Sequence, residues 1–124
     1  MLGGLARQVK KAPGAAAEDI AADYLRACGL RLLARNWRCR GGEIDLICAD
    51  GETLVFVEVR LRQSQDYGGA AASITAAKRQ RLVLAARHYL QRRGDERPCR
   101  FDAVLLEALD PARLRWIRDA FAAD

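Results

Sequence analysis

Residues 42–62 constrain the fold of this chain most, because they predict a β-hairpin that carries acidic side chains. Acidic and apolar residues alternate over residues 43–48, and residues 54–61 are rich in β-branched and aromatic side chains. Asp50 and Gly51 lie between these runs and form a strong two-residue turn signal. The sequence therefore predicts two antiparallel strands joined by a tight turn.

The predicted hairpin has one acidic face, because successive side chains of a strand point to opposite faces of the sheet. The first strand should present Glu43 and Asp45 on one face. Its apolar residues should lie on the other face: Ile44, Leu46 and Cys48. The second strand should place Phe56, Glu58 and Arg60 on the face opposite its valines.

The register of the hairpin decides whether these acids meet. With the Asp-Gly dipeptide at the centre of the turn, Asp45 lies opposite Phe56, and Glu43 lies opposite Glu58. In this register Asp45 and Glu58 are diagonal neighbours, about 7–8 Å apart. A three-residue loop would shift the register by one residue and separate them.

Three carboxylates on one hairpin face repel one another unless a proton, a cation or Arg60 offsets their charge. Magnesium and similar hard cations take carboxylate oxygens and leave much of their shell to water and substrate phosphate. The alternative is a solvated sheet face whose acids pair with Arg60 and Arg62. Phe56 on the same face favours partial cover from solvent.

Length and composition predict one globular domain. A chain of 124 residues can bury roughly two thirds of its unfolded surface. We expect residues 1–13 to form a mobile leader and residues 14–124 to form the domain. No apolar run approaches the ~18 residues of a membrane helix, and the N-terminus lacks the apolar core of a secretory signal. We therefore expect a cytoplasmic protein that does not contact membranes.

The charge balance is basic, with 21 Lys and Arg residues against 16 Asp and Glu residues. Most of the basic residues are arginine, whose guanidinium group matches phosphate oxygens, which indicates nucleic acid as a partner. An arginine-rich proteome is the alternative explanation. Because His88 is the only histidine and no CxxC pair occurs, the sequence disfavours zinc binding and most nucleophile–base schemes.

The first predicted helix covers residues 15–28, where apolar residues recur at helical spacing before Gly29. Glu18 lies at the border of its apolar stripe, either as an acid at the core edge or as an ordinary acid of the first turn. Residues 30–37 predict a strand, followed by the loop RCRGG. Two arginines and two glycines suit either a loop that approaches phosphate or a plain surface turn.

The second predicted helix covers residues 74–93, with Ser73 or Thr75 as N-cap and Gly94 as its stop. Before it, residues 63–73 predict a mobile loop. Lys78 lies on the apolar stripe of this helix, so it needs an anionic partner or a route to solvent, and it could point at the acidic hairpin. The apolar stripe itself has four members: Leu82, Ala85, Ala86 and Tyr89.

The remaining segments complete an α/β domain. Residues 100–108 predict a strand, Asp110 and Pro111 predict a turn, and residues 114–121 predict a last short strand. The order is then one helix, three strands, a second helix, and one or two strands. This order predicts a mixed sheet flanked by helices.

Four segments of the chain resemble the uncharacterised bacterial YraN family: AEDIAADYL, RNWRCRGGEIDLI, LVFVEVR and RFDAVLLE. The likeness extends over nearly all of residues 14–121. The YraN family is similar to the Holliday-junction-resolvase branch of the restriction-endonuclease-like superfamily. That superfamily has a helical Glu, a strand Asp, and Glu-x-Lys on the next strand. The resemblance implies a restriction-endonuclease-like core of order α-β-β-β-α-β(-β).

The resemblance also implies a site, residue by residue. Its catalytic members would be Glu18, Asp45, Glu58 and Arg60, and the three acids would bind Mg²⁺ or Mn²⁺. Glu43 is a further acid of the same predicted face. The chain departs from the superfamily pattern at Arg60, where lysine is usual. Arginine supplies a fixed charge but cannot accept a proton.

Two main functions follow. The first is a metal-dependent endonuclease acting on branched or structured DNA. The second is a nucleic-acid-binding or assembly protein that keeps a nuclease fold without turnover. A structural domain with a solvated acidic face is a third interpretation, and a homodimer is left open. Six residues are expected to contact nucleic acid: Arg38, Arg40, Arg62, Lys78, Arg79 and Arg81.

Overall fold

A computed structural model describes residues 13–62 and 74–123 of the chain. The described part contains two α-helices, five strands and one short 3-10 helix. In chain order they are α1 (Pro13–Ala27), β1 (Arg31–Cys39), β2 (Gly42–Asp50), β3 (Thr53–Leu61), α2 (Ala76–Arg93), β4 (Cys99–Leu106), the 3-10 turn (Pro111–Arg113) and β5 (Leu114–Phe121). This order confirms the predicted succession of elements.

The strands form one five-stranded sheet of order β1-β2-β3-β4-β5. β3 and β4 run parallel, whereas the other neighbouring pairs are antiparallel. A parallel pair needs a crossover connection, and α2 lies in that connection. Because α1 and α2 pack on opposite faces of the sheet, the domain has three layers. The predicted mixed sheet flanked by helices is confirmed.

Alternating side chains of β3 supply the core on both faces of the sheet. Val55 and Val57 pack with Leu25 on the α1 side, whereas Phe56 packs with Leu82 on the α2 side. All five side chains are buried, and burying one of this size contributes about 1.5–3 kcal/mol. The predicted opposition of Phe56 and the valines is therefore confirmed.

The ends of α2 follow the signals in the sequence. The Thr75 side chain accepts a hydrogen bond from the backbone N–H of Lys78 at 3.3 Å, so Thr75 is the N-cap. Gly94 adopts a left-handed conformation with φ of 60°, and its N–H bonds back to the last turn of the helix. The helix therefore begins two residues later than predicted, at Ala76, and ends at Arg93.

The predicted register of the hairpin is wrong by two residues. Asp50 pairs with Thr53, so Gly51 and Glu52 are the central turn residues instead of Asp50 and Gly51. Gly51 has a φ of 59°, whereas Glu52 has no positive φ. This pattern is typical of a turn with glycine at its first central position. The shift by two preserves the faces, and it brings Asp45 opposite Glu58 instead of Phe56.

The alternation of faces along β1 breaks at Asn36. Arg35 forms an ion pair with Asp19 of α1, whereas Trp37 packs against His88 of α2. In a regular strand, two residues that flank the same residue share a face of the sheet. Asn36 lies between them with a φ of 52°, and this left-handed conformation reverses which side chains of β1 point to which face of the sheet.

β2 shows the same reversal at the facing position. Leu46 belongs to the core on the α1 side, whereas Ile44 packs on the α2 side. The prediction that Ile44 shares a face with Leu46 and Cys48 is therefore wrong. Asp45 lies between them, at the position that the register places opposite Asn36.

The predicted loop RCRGG is mostly strand. β1 continues through Arg38 to Cys39, only Arg40 and Gly41 form the turn, and Gly42 already begins β2. Residues 1–12 of the predicted leader and the predicted loop 63–73 lie outside the described residues, and Pro13 begins α1. No helix in the described part of the chain is long and apolar enough to cross a membrane.

Candidate functional site

Asp45 lies where β2 and β3 part. The ladder between these strands ends at the pair of Leu46 and Val57, so Asp45 and Glu58 face each other just beyond it. A carboxylate oxygen of Asp45 accepts a hydrogen bond from the backbone N–H of Val59 at 2.8 Å. The side chain of Asp45 thus takes the place of the next strand-to-strand hydrogen bond, and this contact fixes its position between the strands.

Asp45 and Glu58 open into a small cavity of about 120 Å³. Three acids and three cations line it: Glu43, Asp45, Glu58, Arg60, Lys78 and Arg81. A volume share of about 30 Å³ per liquid water means that this cavity has room for a hydrated ion or a phosphate group. The acids come from the two hairpin strands, and Lys78 and Arg81 come from the first two turns of α2.

The pKa of Asp45 is raised from 3.8 to about 8. Burial is the largest cause, because it disfavours the charged form, and repulsion from Glu58 is the second. The hydrogen bond from Val59 acts in the opposite direction. Asp45 is therefore an acid whose charge the surrounding protein does not fully compensate.

The pKa of Glu58 is also raised, chiefly by burial. Three influences oppose burial: the charge of Arg60, a hydrogen bond with Asp45, and the charge of Lys78. The closest approach between Arg60 and Glu58 is 3.6 Å, which is an ion-pair distance. The charges of Arg60 and Lys78 thus offset only part of the cost of burying Glu58 beside Asp45.

Lys78 reaches the cavity because α2 packs unusually close to β2. A Cβ added to Gly42 would lie 2.5 Å from the backbone oxygen of Arg81, so only glycine permits this approach. The pKa of Lys78 is lowered, first by burial and then by the charge of Arg60. The prediction that Lys78 faces the acidic hairpin matches its place in the cavity lining.

Glu18 lies near the acids without lining the cavity. It projects from α1 and approaches Arg35 to 3.6 Å, and Arg35 also bonds to Asp19 at 2.8 Å. The charge of Glu18 adds to the repulsion that raises the pKa of Asp45. The structure therefore brings Asp45, Glu58 and Arg60 into one cavity and leaves Glu18 at its border, paired with a cation.

The six residues expected to contact nucleic acid divide into separate places. Lys78 and Arg81 line the cavity, and Arg62 follows β3 directly after Arg60 and Leu61. Arg38 lies 3.2 Å from Glu43, and Arg40 is exposed in the β1–β2 turn.

Arg79 points elsewhere. Its guanidinium group donates to the backbone oxygen of Ile74 at 3.2 Å and lies 5.9 Å above the ring of Phe121. It therefore belongs to the β5 side of α2, away from the other five.

The donor set fits a hard divalent cation that is completed by substrate. Within residues 13–62 and 74–123, no three Asp, Glu, His or Cys side chains are grouped as a metal site. Magnesium commonly uses one or two carboxylates and takes its remaining ligands from water and phosphate. Asp45 and Glu58 offer that pair, and a cation between them would offset the repulsion from Glu58 that helps to raise the pKa of Asp45. The predicted third ligand, Glu18, is not part of the pair.

One buried acid escaped the sequence interpretation. Asp102 of β4 is fully buried, and it accepts hydrogen bonds from Arg100, Trp116 and the backbone N–H of Asp119. The available signal was an acid inside the apolar run FDAVLL. Asp102 has a structural role, because each of these hydrogen bonds connects β4 to itself or to β5.

The fold and the paired acids at the end of the β2–β3 ladder define a restriction-endonuclease-like α/β domain. The sequence pattern of the uncharacterised protein family UPF0102 matches residues 17–106. The chain therefore belongs to UPF0102, the YraN family that its motifs resemble. It is similar to UPF0102 proteins of known sequence along most of their length.

The relatives include a UPF0102 protein of Methylobacillus flagellatus that is 58% identical over 107 residues, covering 86% of this chain and 94% of the relative. A UPF0102 protein of Dechloromonas aromatica is 57% identical and covers 96% of each chain. A UPF0102 protein of Pseudomonas aeruginosa is 49% identical, covering 94% of this chain and 98% of the relative. These names state a family without an activity.

Proposed function

We propose that this protein is a metal-dependent endonuclease that acts on branched or structured DNA. The supporting observation is the pair of Asp45 and Glu58, which meet in a cavity otherwise lined largely by cations. Two partly buried acids with raised pKa values are costly for a fold, and such groups cluster at functional sites.

Asp45 and Glu58 would hold Mg²⁺ or Mn²⁺ together with an oxygen of the scissile phosphate. A bound divalent ion lowers the pKa of an attacking water and neutralises charge on the phosphate. Asp45 would bind the ion in its charged form, and the hydrogen bond from the Val59 N–H favours that form. Glu18 would act from outside the pair by adding negative charge.

Phosphodiester hydrolysis joins the oxygen of water to phosphorus and breaks one bond from phosphorus to a deoxyribose oxygen. The leaving oxygen needs a proton or a nearby positive charge. Arg60 supplies fixed charge beside Glu58, because its pKa is too high for proton transfer. Lys78 is a compact ammonium group whose pKa is already lowered, so it is the cation of this cavity suited to give up a proton.

Lysine usage supports this part for Lys78. The chain has 21 basic residues, and after residue 11 Lys78 is the only lysine among them. Arginine therefore serves at every other basic position of the domain. A single lysine at the acidic cavity favours a chemical requirement that arginine does not meet.

The test is cleavage of a four-way junction, a flap and a linear duplex of matched sequence, with Mg²⁺ and with Mn²⁺. We expect the branched substrates to be cut and the linear duplex to be spared. Glu58→Gln should lower the cleavage rate about 100-fold or more. Lys78→Arg should lower the cleavage rate by a larger factor than it lowers the affinity for DNA. Glu52→Gln removes an exposed acid of the hairpin turn and should change nothing.

The Arg60 position separates the two functions that the sequence leaves open. Arg60→Lys restores the usual residue of the superfamily and should raise metal-dependent cleavage. Suppose that wild type and Arg60→Lys both leave every substrate intact while binding branched DNA. The protein is then a nucleic-acid-binding protein on a nuclease fold, and the endonuclease proposal fails.

A further inference from the structure

A second groove lies next to the acidic cavity, near the C-terminal end of α2. It has a volume of about 370 Å³ and five lining residues: Trp37, Arg38, Tyr89, Arg92 and Arg93. This volume falls in the range of ~300–1,000 Å³ that is usual for small-ligand sites. The lining combines three cations with two aromatic rings and contains no acid.

The aromatic part of the groove is held in place by packing. The ring of Trp37 lies 5.3 Å from the ring of His88, tilted against it, and meets the ring of Tyr89 edge to face at 5.4 Å. Arg93 lies 5.3 Å above the other aromatic ring, that of Tyr89. Trp37 is only half-buried, so this fixed indole offers apolar surface to a ligand at little cost in side-chain entropy.

The charged part of the groove is available to an anion. In the part of the chain that the structure describes, neither Arg92 nor Arg93 forms an ion pair with a carboxylate. Arg38 does pair with Glu43, but its side chain keeps 71% of its exposure. Three exposed guanidinium groups beside an indole suit phosphates that carry a planar ring.

The groove continues the acidic cavity along α2. Glu43 lines the cavity, and its partner Arg38 lines the groove, so one ion pair marks the boundary. Lys78 and Arg92 are separated by fourteen residues of helix, which is about 21 Å. At 3.4 Å per stacked nucleotide, that distance corresponds to roughly six nucleotides of one strand.

We propose that this groove binds an unpaired nucleotide of a single-stranded nucleic acid, with its base stacked on Trp37 and its phosphates on Arg92 and Arg93. A base within a duplex is already stacked, so an indole favours strands whose bases are free. This inference rests on the proposed function and narrows its substrate to DNA with a single-stranded tail near the cleavage point.

The test measures binding without cleavage, by fluorescence anisotropy of the full chain in EDTA. The probes are a duplex with a tail of about ten nucleotides, the same duplex with blunt ends, and the tailed duplex with abasic sugars in its tail. Wild type should prefer the tailed duplex to both others. DNA and RNA tails are compared in parallel to identify the sugar that the groove accepts.

Trp37→Leu keeps an apolar side chain against His88 and Tyr89, and it should weaken binding of the tailed duplex about tenfold. Binding of the blunt duplex should change less than about twofold. Trp37→Phe retains a ring and should recover most of the tail preference, which guards against a mere folding defect. Arg92→Gln with Arg93→Gln should lower the salt slope by about 1.4, whereas Arg115→Gln on β5 should leave the tail preference unchanged.

Either of two results would overturn the proposal that the groove binds a nucleotide. In the first, Trp37→Leu weakens the binding of tailed and blunt duplexes equally. In the second, the duplex with an abasic tail, or a polyglutamate competitor, binds as tightly as the duplex with the normal tail. Failure of the endonuclease proposal is distinguishable, because EDTA removes cleavage from the measurement. If the protein does not cleave DNA but prefers the tailed duplex in a way that depends on Trp37, the endonuclease proposal is refuted and the proposed nucleotide site stands.

Discussion

Two carboxylates of this sheet, one fully buried and one partly buried, have opposite surroundings. Asp102 of β4 accepts hydrogen bonds from Arg100 at 3.0 Å, from the Trp116 indole at 2.9 Å and from a backbone N–H of β5 at 2.9 Å. Asp45 of β2 accepts one backbone hydrogen bond, and the charges of Glu58, Glu18 and Glu43 all raise its pKa. The first acid is compensated by the fold itself. The second lacks such compensation, which is why a cation from solution is the natural complement of Asp45 and not of Asp102.

The largest effect that this comparison predicts belongs to Asp102. Asp102→Asn leaves the guanidinium group of Arg100 beside a neutral amide and sets an amide N–H against the donors of Trp116 and β5. Breaking a buried charge pair from one side typically costs 3–5 kcal/mol, so we expect a loss of about that size in the free energy of unfolding. Urea titration at neutral pH measures it.

Asp50 provides the matched control, because it pairs with the same arginine. Arg100 lies 3.1 Å from Asp50, whose side chain is 37% exposed. Asp50→Asn should cost less than about 1 kcal/mol, as exposed pairs do. Equal losses for the two variants would show that burial does not distinguish them, and the comparison would break.

The next effect has the opposite sign. Asp45→Asn removes an uncompensated charge, and one unit of raised pKa corresponds to about 1.4 kcal/mol. Because the pKa of Asp45 is raised from 3.8 to about 8, the unfolded chain ionises first, and wild-type stability falls as pH rises from about 4 to about 8. The variant should lack this fall and should be more stable at pH 8 by at least about 1 kcal/mol.

Urea titrations across this pH range decide the point. Wild type and Asp45→Asn should have similar stability near pH 4 and should diverge towards pH 8. A wild type that is more stable than the variant at pH 8 without added metal would mean that Asp45 is compensated in the fold.

The smallest effect tests a single bond of the compensated acid. Trp116→Phe removes the indole donor from Asp102 and keeps an aromatic ring against Tyr24, to which Trp116 packs edge to face. Asp102 retains its other donors, so the expected loss is about 1 kcal/mol in the free energy of unfolding. A loss as large as that of Asp102→Asn would indicate that the three bonds act as one unit.

Local signals explain what the sequence predicted well. The β-branched run of β3, the Thr75 cap and Gly94 each act through neighbours within a few residues, and their elements formed where expected. The register failed for a local reason too. Asp-Gly and Gly-Glu are both acceptable turn centres, and the choice depends on whether the second central residue adopts a positive φ.

Two features of the molecule were not predictable from local signals, because they depend on distant contacts. The reversal of β1 at Asn36 has no periodic signal, although asparagine tolerates its left-handed conformation. The burial of Asp102 depends on partners on β5, such as Trp116, fourteen residues away. The alternation of side chains along the hairpin strands was sufficient to place Asp45 and Glu58 in one cavity, because a register error of two residues leaves both on the same face.

The most direct test of the central claim is calorimetric titration of Mn²⁺ at pH 7, in two buffers that differ in ionisation enthalpy. If Asp45 and Glu58 form an uncompensated acidic pair that takes a divalent ion, binding must displace the proton that the raised pKa of Asp45 retains. We expect weak binding by the free protein, tighter binding with branched DNA, and release of about one proton per ion. Asp45→Asn should bind at least about tenfold more weakly and release none. Identical titrations for wild type and variant, with and without DNA, would contradict the claim.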